Sequence, residues 1–260
     1  MNPAKPKVTY LYCVVAADRR PRLLRVPPGV PGAGAVRLLE VERGLFIAVA
    51  DLPLDRYSEA AINTGLANLD WVSRVAVAHE LVVESFIAST AVLPMKLFTI
   101  FTTDERALAH VRAQRARIAS LVKRVANHQE WGVRVILDRA LAAAALPKKA
   151  ASAKTGTGVS YLAQKKAHRD ASKELASRAR ETVAGLFDRL AARSGDAKRR
   201  AASELPVEGG PLLLDAAFLV PRARAASFKT LTARESRSLA RQGYGLTVSG
   251  PWPPYTFVQD

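Results

Sequence analysis

The sequence predicts an α+β fold in two domains, and three observations carry that reading. Short runs rich in Val, Ile, Leu and Tyr at Tyr10–Val15, Val36–Val41, Leu45–Ala50 and Trp131–Leu137 have the composition of strands. Longer segments repeat apolar residues at the 3.6-residue period of a helix, above all Val72–Ile87 and Val159–Ala192. The chain of 260 residues is long enough for one large or two small cores, and its 49% hydrophobic and 24% charged content is that of a globular protein.

The first domain, residues 1–128, opens on the strand Tyr10–Val15. A Pro/Gly loop from Pro27 to Gly34 leads to a hairpin of Val36–Val41 with Leu45–Ala50, turned at Arg43-Gly44. A helix starts at Asp70 as N-cap, with Trp71 at its entry and a buried stripe of Val72, Val75, Ala76, His79, Val83, Phe86 and Ile87. A strand region follows at Ala91–Phe101. Thr102-Thr-Asp-Glu105 reads as a capping box that starts one further helix, with Leu108, Val111, Ile118, Val122 and Val125 as its buried face.

The second domain, residues 129–260, opens on the strand Trp131–Leu137. Pro147–Gly158 has the Lys, Ala, Ser, Thr and Gly composition of a flexible connection, and a helical extension at about 157–193 comes after it. Its inward face is Ala163, Ala167, Ala171, Leu175, Ala179 and Val183, then Leu186, Phe187 and Leu190, while Glu174 and Arg178 are spaced for an i,i+4 ion pair. A strand at Leu212–Val220, a helix from about Arg222 to Arg241 and a last strand complete the order.

That last strand runs into a docking tail, residues 249–260. Leu246 and Val248 alternate with Thr247 and Ser249 as in a half-buried strand, and Gly250 frees the backbone. Pro251, Pro253 and Pro254 fix φ and predict that the segment stays extended, a stiff rod carrying Trp252, Tyr255 and Phe257. A terminus bearing three large aromatics exposes much apolar area unless it is tied down. Trp252, Pro253, Pro254, Tyr255 and Phe257 are therefore read as a structural clasp and not as a ligand site.

Composition narrows the function. The most apolar stretch, Val72–Ile87, contains Arg74, His79, Glu80 and Glu84, too many ionisable groups for a membrane span. Lys5 and Lys7 before the run Val8–Ala17 resemble a secretion signal, but the run is rich in Thr, Tyr and Val and meets Asp18-Arg-Arg-Pro-Arg22 at once, so it reads as a strand. A single cysteine, Cys13, excludes an internal disulfide and suits a cytoplasmic protein.

The net charge is +16, of which Lys148–Arg200 supplies +9 from 14 Lys/Arg against 5 Asp/Glu. Lys165, Arg169, Lys173 and Arg180 lie off the apolar face of the long helix and form a basic interaction face. Without base-stacking aromatics this reads as a solvated surface, and nucleic acid is expected only as a weak, non-specific partner. The alternative function is a basic nucleic-acid-binding or scaffold protein that uses region 148–200.

No catalytic constellation, cofactor site or metal site is predicted. His79-Glu80 begins like a zinc-protease motif, but Val83 stands where the second histidine is needed, and His110, His128 and His168 have no ligand spacing. Lys154-Thr-Gly-Thr-Gly158 lacks the Gly-Lys-Ser/Thr ending of a phosphate loop. The pairs Asp104/Glu105 and Glu80/Glu84 are explained by capping and by a solvated helix edge, and Cys13 by a strand interior.

Several segments resemble those of the gas vesicle protein F/L family: Tyr10-Leu-Tyr-Cys-Val-Val15, Leu69-Asp-Trp-Val-Ser-Arg-Val-Ala-Val-Ala-His-Glu80, Ala91-Val-Leu-Pro-Met-Lys-Leu-Phe-Thr-Ile-Phe101, Glu130-Trp-Gly-Val-Arg-Val135, Ala216-Ala-Phe-Leu-Val-Pro221 and the closing Gln242–Gln259. They occur in the family's order almost from end to end. Cys13 stands where the family usually has glycine, and Lys96-Leu97-Phe98 replaces the more usual Arg-Phe-Gly. The resemblance implies a modified ferredoxin-like second domain with a tail packed between domains. It also implies a non-enzymatic, cytoplasmic accessory protein associated with gas vesicles, which binds the major shell protein as assembly chaperone, nucleation factor or minor wall component. Other gas vesicle accessory proteins are further implied partners.

Overall fold

The structure, a computed structural model, describes residues 6–23, 26–138, 158–200 and 210–259. The connection predicted at Pro147–Gly158 lies outside the described residues up to Gly158, as do the side chains of Ala163, Lys165, Ala167, His168 and Ala171. The chain divides into two compact units, one holding the residues through Glu130 together with those from Pro251 onward, the other Trp131–Gly250.

The first unit is built on an antiparallel sheet of β1 (Lys7–Ala16), β2 (Arg37–Glu42), β3 (Leu45–Pro53), β4 (Ala91–Pro94) and the two-residue β5 (Ile100–Phe101). Its order is β2-β3-β1-β4, with β5 also paired to β1. The hairpin turns at Arg43-Gly44, and Gly44 has φ +79, a left-handed conformation that glycine adopts without a Cβ clash. The register of β1 against β3 shifts between Leu11 and Cys13, a bulge that leaves Tyr12 out of the ladder. Tyr10, Tyr12, Cys13 and Val15 consequently all enter one core cluster with Val75, Val82 and Val83, whereas Val14 lines a cleft elsewhere.

Three helices follow the hairpin, α1 (Leu54–Tyr57), α2 (Glu59–Leu66) and α3 (Leu69–Glu84). The first two are short and carry few buried residues, so no periodic stripe announces them in the sequence. The expected N-cap of α3 is corrected from Asp70 to Asn68, whose side chain accepts from the Trp71 N–H at 3.0 Å; Asp70 already lies in the first turn. Val75, His79, Val82 and Val83 form its buried face.

The single helix expected after Thr102 is two, α4 (Asp104–Ala113) and α5 (Arg115–Val125), broken at Gln114. Separate attachments account for the break, since α4 packs on β1, β2 and β5 and α5 on β4. Ala107, Val111, Ile118 and Val125 are buried, while Leu108 and Val122 are only partly so. The cap is Thr103, which accepts from the Arg106 N–H, not Thr102. The Thr103 hydroxyl bonds to the Glu105 carboxyl and holds it below the usual range. Asp104 does more than cap: it accepts from the Thr9 hydroxyl at 2.7 Å and pairs with Arg37, itself 2.7 Å from Asp51.

The second unit is built on most of β6 (His128–Leu137), α6 (Gly158–Ala191), β7 (Asp196–Arg199), β8 (Leu212–Pro221), α7 (Ala225–Ala240) and most of β9 (Tyr244–Trp252), with sheet order β7-β8-β6-β9; the first three residues of β6 and the last two of β9 belong to the first unit. Strand, helix, strand, strand, helix, strand, with the first strand between the third and the fourth, is the ferredoxin-like arrangement. β7 is short and polar and therefore silent in the sequence; it forms by pairing with β8. Phe218 anchors the core, with Phe187 at 5.5 Å and Phe228 at 5.8 Å between ring centroids. Ala179, Val183, Leu186 and Leu190 of α6 are buried, Glu174 and Arg178 pair at 2.9 Å, and Arg189 reaches Glu235 of α7 at 2.8 Å. After β9 the chain ends in a short helix, α8 (Tyr255–Val258).

Beneath the first sheet lies a buried polar group. Tyr10 stays protonated, its phenol raised far above the usual range by burial, and its hydroxyl lies 2.9 Å from His79 Nδ1 while accepting from the Phe98 N–H at 3.3 Å. Burial pushes the His79 imidazole down to about 4, an effect that the nearby Met95 backbone partly offsets. The ring is thus neutral when folded and resists protonation until pH approaches 4, whereas in the unfolded chain it titrates near 6.5. Between those values the unfolded chain binds a proton that the folded chain refuses, so this contribution is present above pH 6.5 and is lost as pH falls to 4. The loss amounts to roughly 2–4 kcal/mol. Urea midpoints of the wild type and of His79→Gln, measured from pH 7 to 4, should show a smaller acid-dependent fall in the variant; parallel curves would refute the assignment.

Candidate functional site

The tail does not remain the extended rod that its prolines suggest. Prolines fix φ near a value that the first turn of a helix also accepts, and the chain turns into α8 directly after Pro254. Glu130 accounts for the turn. Its buried carboxylate accepts from the Thr256 N–H at 2.7 Å and from the Thr256 hydroxyl at 2.6 Å, which ties the last helix to the end of the first unit. The Tyr255 N–H and Phe257 N–H donate to the carbonyls of Pro253 and Pro254.

The five tail residues are not equivalent. Phe257 is fully enclosed, Pro253 and Pro254 are buried, and Trp252 is half-buried. Arg124 lies over the Phe257 ring at 5.9 Å. The Tyr255 ring packs against the first unit's core. Burial first, then the neighbouring charges of Glu80, Glu84 and Glu130, push its phenol far up. The sequence holds the Glu130-Trp-Gly block in view without revealing its use. Strand alternation makes it legible afterwards: Glu130 faces the tail, and the adjacent Trp131 enters the core of the second unit.

A second feature is the outer side of α1–α3. Among the described residues, the exposed large apolar side chains Leu54, Leu66, Leu69, Val77 and Leu81 all belong to these three helices, with Leu69 82% exposed. On α3, Val77 and Leu81 border a groove of about 410 Å³ completed by Arg74 and by Pro27, Pro28 and Gly29 of the loop before β2. The inward stripe of α3 is evident in the sequence; that apolar residues also occupy its outer side was missed, although Leu69, Val77 and Leu81 are spaced by multiples of four.

The basic face is placed in part. Arg169, Lys173 and Arg180 are exposed on α6, while Lys165 has its side chain outside the described residues. His79 and Cys13 are core groups, the Cys13 thiol being raised by complete burial. Among the described residues no group of three or more His, Cys, Asp or Glu could hold a metal ion, and no helix is long and apolar enough to cross a membrane.

Against known proteins, residues 8–259 match the family described as gas vesicle synthesis protein GvpL/GvpF. Gas vesicle protein L of a Streptomyces species is 28% identical over 255 residues, which is 97% of this chain and 93% of that protein. Among solved structures, GvpF of an Anabaena species superposes with a TM-score of 0.70 at 16% identity, covering 98% of this chain and 97% of that one. GvpF of Microcystis aeruginosa gives 0.68 at 16% identity, covering 97% and 99%. At that identity the two structures speak for the fold alone.

The geometry of the tail sets a stability order. Phe257→Ala should cost about 3–5 kcal/mol, the usual range for a buried aromatic. Glu130→Gln, which keeps the shape but weakens two charge-assisted hydrogen bonds, should cost less, and Trp252→Ala less than Phe257→Ala. Melting temperatures of the three variants test the clasp, and an unchanged value for Phe257→Ala would dismiss it.

Proposed function

The chain belongs to the gas vesicle synthesis protein GvpL/GvpF family, and from that membership in a gas vesicle accessory family we propose that it acts, without catalysis, by binding the major shell protein. A shell subunit that has not yet joined the wall presents apolar surface and strand edges, which associate indiscriminately. An accessory protein that covers such surface in the cytoplasm prevents that association and delivers the subunit to the growing wall. The observation that carries this reading is the concentration of exposed apolar side chains on α1–α3, beside a groove of about 410 Å³. Single exposed leucines are ordinary on a protein surface; several on neighbouring helices fit a client that is itself apolar.

Co-expression tests the proposal. The wild type should raise the soluble fraction of the major shell protein and co-elute with it on size exclusion at low and moderate salt. The triple variant Leu69→Ser, Val77→Ser and Leu81→Ser should keep its melting temperature within a few degrees, because these side chains are exposed, and should lose co-elution. No solubility gain together with no co-elution for the wild type would remove the shell-protein reading, and a triple variant that binds as well as the wild type would move the contact off this face.

Nucleic acid provides the contrasting test. Arg169, Lys173 and Arg180 are solvated, so duplex DNA and RNA should bind weakly and lose affinity steeply with added salt. A dissociation constant on the order of 10⁻⁸ M at physiological salt, abolished by Lys165→Gln, Arg169→Gln and Lys173→Gln together, would instead favour the nucleic-acid function.

A further inference from the structure

A second surface of the first unit differs in chemistry from the α1–α3 face. A cleft of about 370 Å³ lies among Leu93 and Pro94 of β4, Phe101 of β5, Val111 of α4, Ile118 and Leu121 of α5, and the tail residues Val258 and Gln259. Val14, turned to this side by the β1 bulge, adds to its floor. Lys96, His110 and Arg117 also line it, and among the described residues no aspartate or glutamate does. An apolar floor under a rim that carries Lys96 and Arg117 and, among the described residues, no carboxylate selects an apolar group that carries negative charge. The size suits a few apolar side chains, at the lower end of ordinary ligand pockets. The Gln259 amide on the same lining offers a donor and an acceptor that a peptide backbone can meet and an acyl chain cannot, while the Gln114 amide is engaged with His110 at 2.6 Å and accepts from Arg117 at 3.3 Å.

We propose that this cleft is a docking site for an apolar peptide segment bearing glutamate or aspartate, contributed by a partner protein. The site goes beyond the shell-protein reading and does not depend on it. The net charge of +16 favours encounter with an acidic partner over long range, and the cleft supplies the short-range selection. Because Val258 and Gln259 form one wall, the site is complete only with the tail in place. Loss of the Glu130–Thr256 tie should therefore weaken the cleft as well as the fold.

The test uses the full chain and fluorescein-labelled octapeptides that contain leucines with two glutamates, two glutamines or two lysines. In anisotropy titrations at low salt the glutamate peptide should bind at least tenfold more tightly than the glutamine peptide, and the lysine peptide should not bind. The double variant Lys96→Glu and Arg117→Glu should reverse the order, losing the glutamate peptide and gaining the lysine peptide, a result that misfolding cannot produce. Leu121→Trp, which fills the floor, should weaken the glutamate peptide while its melting temperature stays near the wild type. Equal binding of all three peptides, no binding by any at about 1 mM, or unchanged order in the double variant would overturn the site. Dodecanoate that binds the cleft while the glutamate peptide does not would overturn the peptide occupant in favour of a lipid.

Discussion

The hydroxyl of Tyr10 is the constraint on which the first unit depends. One buried oxygen joins three elements: its own strand, His79 of α3 and the Phe98 N–H of the loop between β4 and β5. Fixing His79 inward orients α3 about its axis. Val77 and Leu81, two residues to either side, are then carried roughly 160° round the helix and outward, which is where they stand exposed. The same oxygen secures Phe98 at φ +63, a left-handed conformation that is costly for a residue with a Cβ. Phe98 occupies the place where the resemblance leads one to expect glycine. The strain is offset by stacking, since the Trp71 ring lies parallel to Phe98 at 5.5 Å and 8°. The departure from the usual Arg-Phe-Gly thus places a left-handed phenylalanine in the loop and adds an aromatic contact with α3.

What the sequence disclosed and what it hid follow from the range of the interactions involved. Strands β1, β2, β3, β6 and β8 and the inner faces of α3 and α6 were legible because burial imprints a period of two or 3.6 on the chain. The bulge in β1 was not, since Tyr10, Tyr12, Cys13 and Val15 on one face break strict alternation only in space. The division of α4 from α5 leaves the apolar spacing of the segment almost intact, for Ala107, Val111, Ile118 and Val125 still fall on one helical stripe. It takes the Asp104 contacts with Thr9 and Arg37 to direct α4 away from the line of α5. The short α1 and α2 bury too little to leave a pattern at all.

The candidate surfaces show the same limit more sharply. The tail aromatics drew attention through composition, but the residue that turns the tail, Glu130, lies more than a hundred positions earlier in the chain. Proline restricts φ alone, so Pro253 and Pro254 left both an extended and a helical continuation open, and the carboxylate decided between them. The exposed apolar side of α3 is present in the sequence as Leu69, Val77 and Leu81, but single apolar residues on an outer face are ordinary and do not by themselves mark a surface.

Charge and exposed apolar area fall on different units. The basic helix α6 lies within Trp131–Gly250, whereas Leu54, Leu66, Leu69, Val77 and Leu81 belong to the unit that ends at Glu130 and resumes at Pro251. Electrostatic attraction acts over about a Debye length, near 8 Å at physiological ionic strength, and governs how fast partners meet; apolar contact acts only where surfaces touch and governs how long they stay. Residues serving the first property can therefore change without altering the second. A surplus of arginine and lysine on α6 need not imply a nucleic-acid partner: it can raise the encounter rate with any acidic component, while retention at the two proposed contact surfaces, the α1–α3 face and the cleft, would be set by shape and local chemistry.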